Sequence, residues 1–94
     1  MVAERIKALR ENKSMTQSEL ARQLGITRSS VNAWEMGISV PSTQYIVELA
    51  GVFRVSTDYL LGVSSTATVS VSGLTEQDIQ LVHRVIAHLA SKNL

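Results

Sequence analysis

The sequence predicts an all-α fold: a closed bundle of five short helices, then a linker and one further helix. Three observations predict it. Apolar stripes at helical spacing recur through residues 1–62, each bracketed by residues that start or stop helices. Apolar residues make up 45% of the chain, yet its aromatics are one Trp, two Tyr and one Phe, so the core has to be built from aliphatics. Residues 74–91 then carry the strongest 3.6-residue period in the chain. A length of 94 residues allows one domain with an appendage.

The first helix runs from Val2 to Asn12, with Val2, Ile6 and Leu9 on one stripe and Arg5, Lys7, Arg10 and Glu11 around the rest. Asn12-Lys13-Ser14 is a polar link, and Met15 is placed as a hydrophobic staple before the next helix. Thr16-Gln17-Ser18-Glu19 reads as a capping box opening a second helix through Leu20, Ala21 and Leu24. Gly25 suits a turn at positive φ, and Ile26 plugs that turn into the core. Thr27 is an N-cap for a third helix from Arg28 to Met36, closed by a left-handed cap at Gly37.

Pro41 interrupts helix formation, and Ser42 caps a fourth helix to about Val52, with Ile46, Leu49 and Ala50 inward. Phe53-Arg54-Val55-Ser56 is a short turn; Ser56 caps the fifth helix, Thr57 to Leu61, and Gly62 ends it. Residues 63–73 carry no charge and read either as a flexible linker or as a short strand, since Ala67, Val69 and Val71 alternate with Ser and Thr. Thr75-Glu76-Gln77-Asp78 is a capping-box variant opening the last helix. There Ile79, Val82, Ile86 and Leu89 form a stripe that Leu81, Val85 and Ala90 widen. The chain thus divides into a helical domain (1–62), a linker or strand (63–73) and a C-terminal segment (74–94) whose apolar face needs a partner.

The third helix is the unusual one. At about 100° per residue, Val31 and Trp34 share one side, while Ser29, Asn32, Ala33 and Met36 lie on the other with Arg28 at the leading edge. That outer face is small and polar. Small residues let a helix approach a DNA major groove, and Arg28 and Asn32 carry the groups that read base edges. The bland alternative is an ordinary surface helix. Met36 offers either an apolar contact to a sugar or thymine methyl, or mere exposure, and Trp34 reads as buried packing rather than a stacking platform.

Charge adds little: the net formal charge is +1, so non-specific affinity is expected to be modest and two copies useful. There is no cysteine, hence no disulfide framework and no cysteine metal site. His83 and His88 lie five apart, not at the i, i+4 spacing of a helical metal pair. Ser29 and Ser30 have no His or Lys placed to activate them, and no Gly-rich phosphate loop is present. Neither an enzyme nor a metal or cofactor is expected. With no apolar signal or spanning segment either, a cytoplasmic protein is.

Several spaced positions resemble one family. Met15-Thr16-Gln17-Ser18-Glu19-Leu20-Ala21, Leu24-Gly25-Ile26, Ser30-Val31, Trp34-Glu35, Gly37 and Pro41-Ser42 are similar to the phage-repressor-type, or xenobiotic-response-element, helix-turn-helix family. Val55 to Gly62 resembles that family's closing helix. The resemblance implies a five-helix lambda-repressor-like DNA-binding bundle over residues 1–62, followed here by the linker and an extra dimerisation helix. It implies sequence-specific binding of double-stranded DNA by a transcriptional regulator, most simply a repressor, with Arg28, Ser29, Asn32 and Ala33 in the major groove.

Phosphate contacts are expected from Gln17, at a helix N-terminus, and from Ser39, Ser42 and Gln44, with Asn12 and Lys13 as further candidates. The family pattern also suggests a structural salt bridge between Arg10 and Glu35. A departure is Arg54, where the family commonly has Gly or Asn; at positive φ it costs up to about 1 kcal/mol relative to Gly. The homodimer interface is expected at Ile79, Val82, Val85, Ile86 and Leu89, on a pseudo-palindromic operator. The alternative is an antitoxin or protein-interaction module whose last helix captures a toxin or another protein.

Overall fold

The computed structural model describes residues 1–64 and 69–93. Its six helices are α1 (Val2–Asn12), α2 (Gln17–Leu24), α3 (Arg28–Glu35), α4 (Thr43–Phe53), α5 (Thr57–Leu61) and α6 (Glu76–Lys92). Each of the first five contributes one aliphatic side chain with no exposed surface: Ile6, Leu20, Val31, Leu49 and Leu60. Burial of such side chains is worth about 1.5–3 kcal/mol each, and here it draws five elements to one point. Around them pack Met15, Ala21, Leu24, Trp34, Ile46 and Phe53. The first helix is the hub, in contact with α3, α4 and α5, while α2 lies against α3 and α4.

The helix ends follow the capping chemistry. Thr16 and Glu19 form a reciprocal capping box, Thr27 accepts from the Ser30 amide, and Ser56 from the Tyr59 amide. Gly25 takes φ +71°, which makes the sharp turn between α2 and α3 possible. Arg54 adopts the same left-handed region, φ +56°, so the anticipated strain is present. Ser14, at φ +56° in the α1–α2 link, is a second such position that the sequence does not signal.

Three expectations change, and a fourth reading narrows. Arg10 is not part of the solvated face of α1; it is buried. The third helix stops at Glu35, with Met36 in its C-cap position and the left-handed turn following at Gly37. Ser42 occupies the N-cap position of α4 but makes no side-chain capping bond. Of residues 63–73, those described form no strand; Ala67 lies outside the described residues. Instead, the Ser70 amide donates to the Arg54 carbonyl at 3.1 Å and the Arg54 guanidinium reaches the carbonyls of Ser70 and Ser72.

The last helix opens on the Thr75–Asp78 capping box and buries no residue. Ile79 and Val82 are half-buried, whereas Leu81, Val85, Ile86 and Leu89 are each about half or more exposed, at 57%, 50%, 56% and 49%. Most of its apolar face is left uncovered among the described residues. Among the described residues, no helix is long and apolar enough to cross a membrane.

Candidate nucleic-acid interface

The outer face of α3 is set by what its inner face buries. Val31 and Trp34 point into the core, so Arg28, Ser29, Asn32 and Ala33 are carried round to the opposite side. Arg28 and Ser29 are exposed, and Asn32 and Ala33 half-buried. Arg28 makes no hydrogen bond or ion pair to another described residue, so all its guanidinium donors remain available.

Beside this face runs an open groove between α3, the α3–α4 loop and the start of α4. Ser29, Ala33, Ser39 and Ser42 all line it, together with Trp34 and Tyr45. The structure therefore brings two base-edge candidates and two phosphate candidates to one surface. Gln44 is exposed in the first turn of α4, next to this rim. Because Ser42 does not cap, the first-turn amides of α4 stay open to an outside acceptor, and an anion at a helix N-terminus is the natural one. In α2, α3, α5 and α6 a side-chain cap already takes one first-turn amide.

Asn12 and Lys13 are not brought to that groove. Asn12 lines a separate one with Glu4, Arg5 and Tyr59. The Lys13 ammonium donates to the Val52 carbonyl at 2.9 Å, at the end of α4 far from Ser42 and Gln44. At about 1.5 Å per residue those ends are roughly 15 Å apart.

Beneath the face lies a polar network. Arg10 donates through Nε to Glu35 Oε2 at 2.7 Å, through Nη2 to Glu35 Oε1 at 3.0 Å, and through Nη1 to the Met15 carbonyl at 2.7 Å. That trio of bonds is why Arg10 is tolerated inside: every face of its fork has an acceptor. The bond to Glu35 raises the Arg10 pKa against the effect of burial. Burial pushes the Glu35 carboxyl up, but hydrogen bonds from Arg10 and Gln17 and the charges of Arg10 and Lys7 outweigh it, and the net shift is downward.

Gln17 joins this network. Its Nε2 donates to Glu35 Oε1 at 3.1 Å and to Asn32 Oδ1 at 3.2 Å. The residue is half-buried, not the freely exposed side chain its position suggests. Both amide protons are engaged, so the side chain keeps only an acceptor, which has nothing to offer a phosphate. What Gln17 retains for an anion is its main-chain N–H at the start of α2.

Sequence reading missed Tyr45. Its ring lies 5.5 Å from that of Trp34 at an interplanar angle of 48°, and it borders the groove. The two are far apart in sequence, and only the turn through Pro41 brings them together. A tyrosine in the first turn of a helix that follows Pro-Ser is the one available hint.

The family profile described as helix-turn-helix matches residues 6–60. An HTH-type transcriptional regulator of Bacillus subtilis, YqaE, is 38% identical over 61 residues, covering 65% of this chain and 53% of that protein. The antitoxin PezA of Streptococcus pneumoniae is 41% identical over 56 residues, covering 60% of this chain and 35% of that protein. Among solved structures, SinR, a master regulator for biofilm formation in complex with DNA, superposes with a TM-score of 0.60 at 34% identity, covering 65% of this chain and 98% of that one. The chain spans about half the length of the first curated relative, 53%.

Proposed function

This chain belongs to the phage-repressor-type helix-turn-helix family, and on that footing we propose that it is a DNA-binding regulator of transcription. The observation that carries the proposal is the shared groove: base-reading and phosphate-holding candidates from α3, the loop and α4 converge on one open surface. In this reading α3 enters the major groove. Arg28 and Asn32 address base edges by hydrogen bonds, Ser29 by its hydroxyl, and Ala33 by contact with a thymine methyl. Ser39, Ser42, Gln44 and the main-chain N–H groups at the starts of α2 and α4 hold phosphates and fix the register. The protein acts in the cytoplasm, where it meets the DNA it reads.

The protein binds as a homodimer joined through Ile79, Val82, Val85, Ile86 and Leu89. Two copies supply the avidity that a near-neutral single domain lacks. A two-fold dimer calls for a pseudo-palindrome with half-sites about one helical turn apart. Repression is the simplest output, since occupying an operator blocks access without any further contact. Selection of bound sites from random duplex DNA tests this: a pseudo-palindromic consensus supports it, and retention of every sequence alike overturns it.

A second reading draws on the likeness to PezA. Here the open face of α6 receives a small toxin in place of a second copy. Sedimentation of the protein alone separates the two: an α6 face kept for a toxin in place of a second copy leaves the chain monomeric on its own, whereas the homodimer persists.

A further inference from the structure

Asparagine beside a base edge ordinarily offers both a donor and an acceptor, and that combination matches adenine. Asn32 is not in that position. Its Oδ1 already accepts from Gln17 Nε2 at 3.2 Å. Its Nδ2 has no partner among the described residues, and no side-chain nitrogen or oxygen in them is both buried and without a partner. The Nδ2 group therefore opens to solvent on the outer face of α3. We infer that Gln17 and Glu35 make Asn32 a donor-only reader, which meets the two acceptors of guanine but not the donor-and-acceptor edge of adenine.

The orientation follows from a chain of one-way bonds. Arg10 carries only donors, so Glu35 faces it as a carboxylate. An ionised carboxylate only accepts, so Gln17 must turn its NH2 group toward Glu35 Oε1. The same NH2 then supplies its second proton to Asn32, which must answer with Oδ1. Turning the Asn32 amide by 180° would set NH2 against NH2. Neither amide is free to flip while the Arg10–Glu35 pair stands, and the Glu35 carboxyl is held ionised at neutral pH.

Base chemistry then decides the preference. Guanine shows O6 and N7, both acceptors, to the two protons of Nδ2. Adenine keeps N7 as an acceptor but sets its N6 amino donor where guanine has O6, and Asn32 has no acceptor left to meet it. Gln17 acts here through Asn32 and is a positioning residue; it reads no base itself.

The inference rests on the placement of α3 against base edges proposed above, and the test separates the two. Bound sites are selected from random duplex DNA with the wild type, Asn32→Ala and Gln17→Met, the last being close in size but without the amide. The base pair whose preference vanishes in Asn32→Ala is the one that Asn32 reads. At that pair the wild type should favour G·C over A·T by about tenfold. In Gln17→Met the freed amide should admit adenine as well, reducing the G·C preference to less than about threefold while the preference opposite Arg28 persists. Weaker overall binding by this variant is immaterial, since the readout is relative preference at one pair. A preference for A·T at that pair in the wild-type profile, or an unchanged preference in Gln17→Met, overturns the inference and leaves the DNA-binding proposal standing. An Asn32→Ala profile identical to the wild type removes Asn32 as a reader and the inference with it. A wild type that selects no sequence brings down both.

Discussion

Arg10 on α1 and Glu35 at the end of α3 meet in a two-pronged ion pair, Nε to Oε2 at 2.7 Å and Nη2 to Oε1 at 3.0 Å, with side chains only 10% and 3% exposed. The pair pins α3 to α1, the hub of the bundle, across 25 residues of sequence. Removing one partner would leave a charge buried and unmatched. Glu35→Ala is expected to lower the unfolding free energy by about 3 kcal/mol, whereas a paired apolar replacement, Arg10→Met with Glu35→Leu, should recover most of that loss. Urea unfolding of the three proteins checks it; equal stability of wild type and Glu35→Ala would show that the pair is not closed in solution.

The same pair predicts a pH dependence. The Glu35 pKa is lower folded than unfolded, so the folded state binds fewer protons on this group. Its contribution is fully present above the unfolded value, about 4.3, and is lost as pH falls through the lower folded value. Stability should therefore decline below about pH 4.3, less steeply in Glu35→Gln, which carries no such group. Chemical unfolding between pH 7 and pH 3 measures this, and parallel curves for the two proteins would refute it.

Arg28→Ala should weaken binding to the selected site by about 1–3 kcal/mol if Arg28 reads a guanine edge. On unrelated duplex the loss should be smaller. Titrations on both DNAs at one salt concentration decide, and equal losses would reassign Arg28 to a phosphate.

Arg54 sets backbone strain against two hydrogen bonds. Its φ of +56° costs up to about 1 kcal/mol relative to glycine. The guanidinium contacts to Ser70 and Ser72 are exposed and long, 3.3 and 3.5 Å, and contribute little. Arg54→Gly should hold or raise the melting temperature, and Arg54→Ala, which keeps the strain and drops the contacts, should lower it. A fall in Arg54→Gly would mean that the grip on the linker outweighs the strain.

Assembly is tested on α6. Ile86→Asp with Leu89→Asp should convert the protein to a monomer at micromolar concentration without moving the melting temperature of the bundle, since neither residue is buried in it. A truncation ending at Gly62 should be monomeric too. Sedimentation reads both, and a dimer that survives either change places the interface elsewhere.

Much of the fold was legible because it is written in local terms. Thr16, Thr27, Ser56 and Thr75 sit where their hydroxyls meet amides three residues on, and Gly25 and Gly62 stand where the chain turns left-handed. Such signals act within one helical turn, so a linear reading recovers them. The inward residues Ile6, Leu20, Val31 and Leu49 were recoverable for a related reason, since helical period places them on one face; Leu60 was not, because the five residues of α5 are too few to show a period.

What the sequence by itself determined is therefore the set of helices, their caps, their buried faces and the small polar face of α3. Tertiary structure alone decided what that face has to offer. Whether Gln17 points at solvent or at Glu35 depends on how α2 crosses α3, and that crossing depends on every core contact at once. The same crossing takes the Gln17 donors, fixes the Asn32 amide and makes Arg10 a buried residue. A hydrogen bond has direction and reaches about 3 Å, so its partners are decided by helix placement at that scale, which no periodicity in the chain encodes.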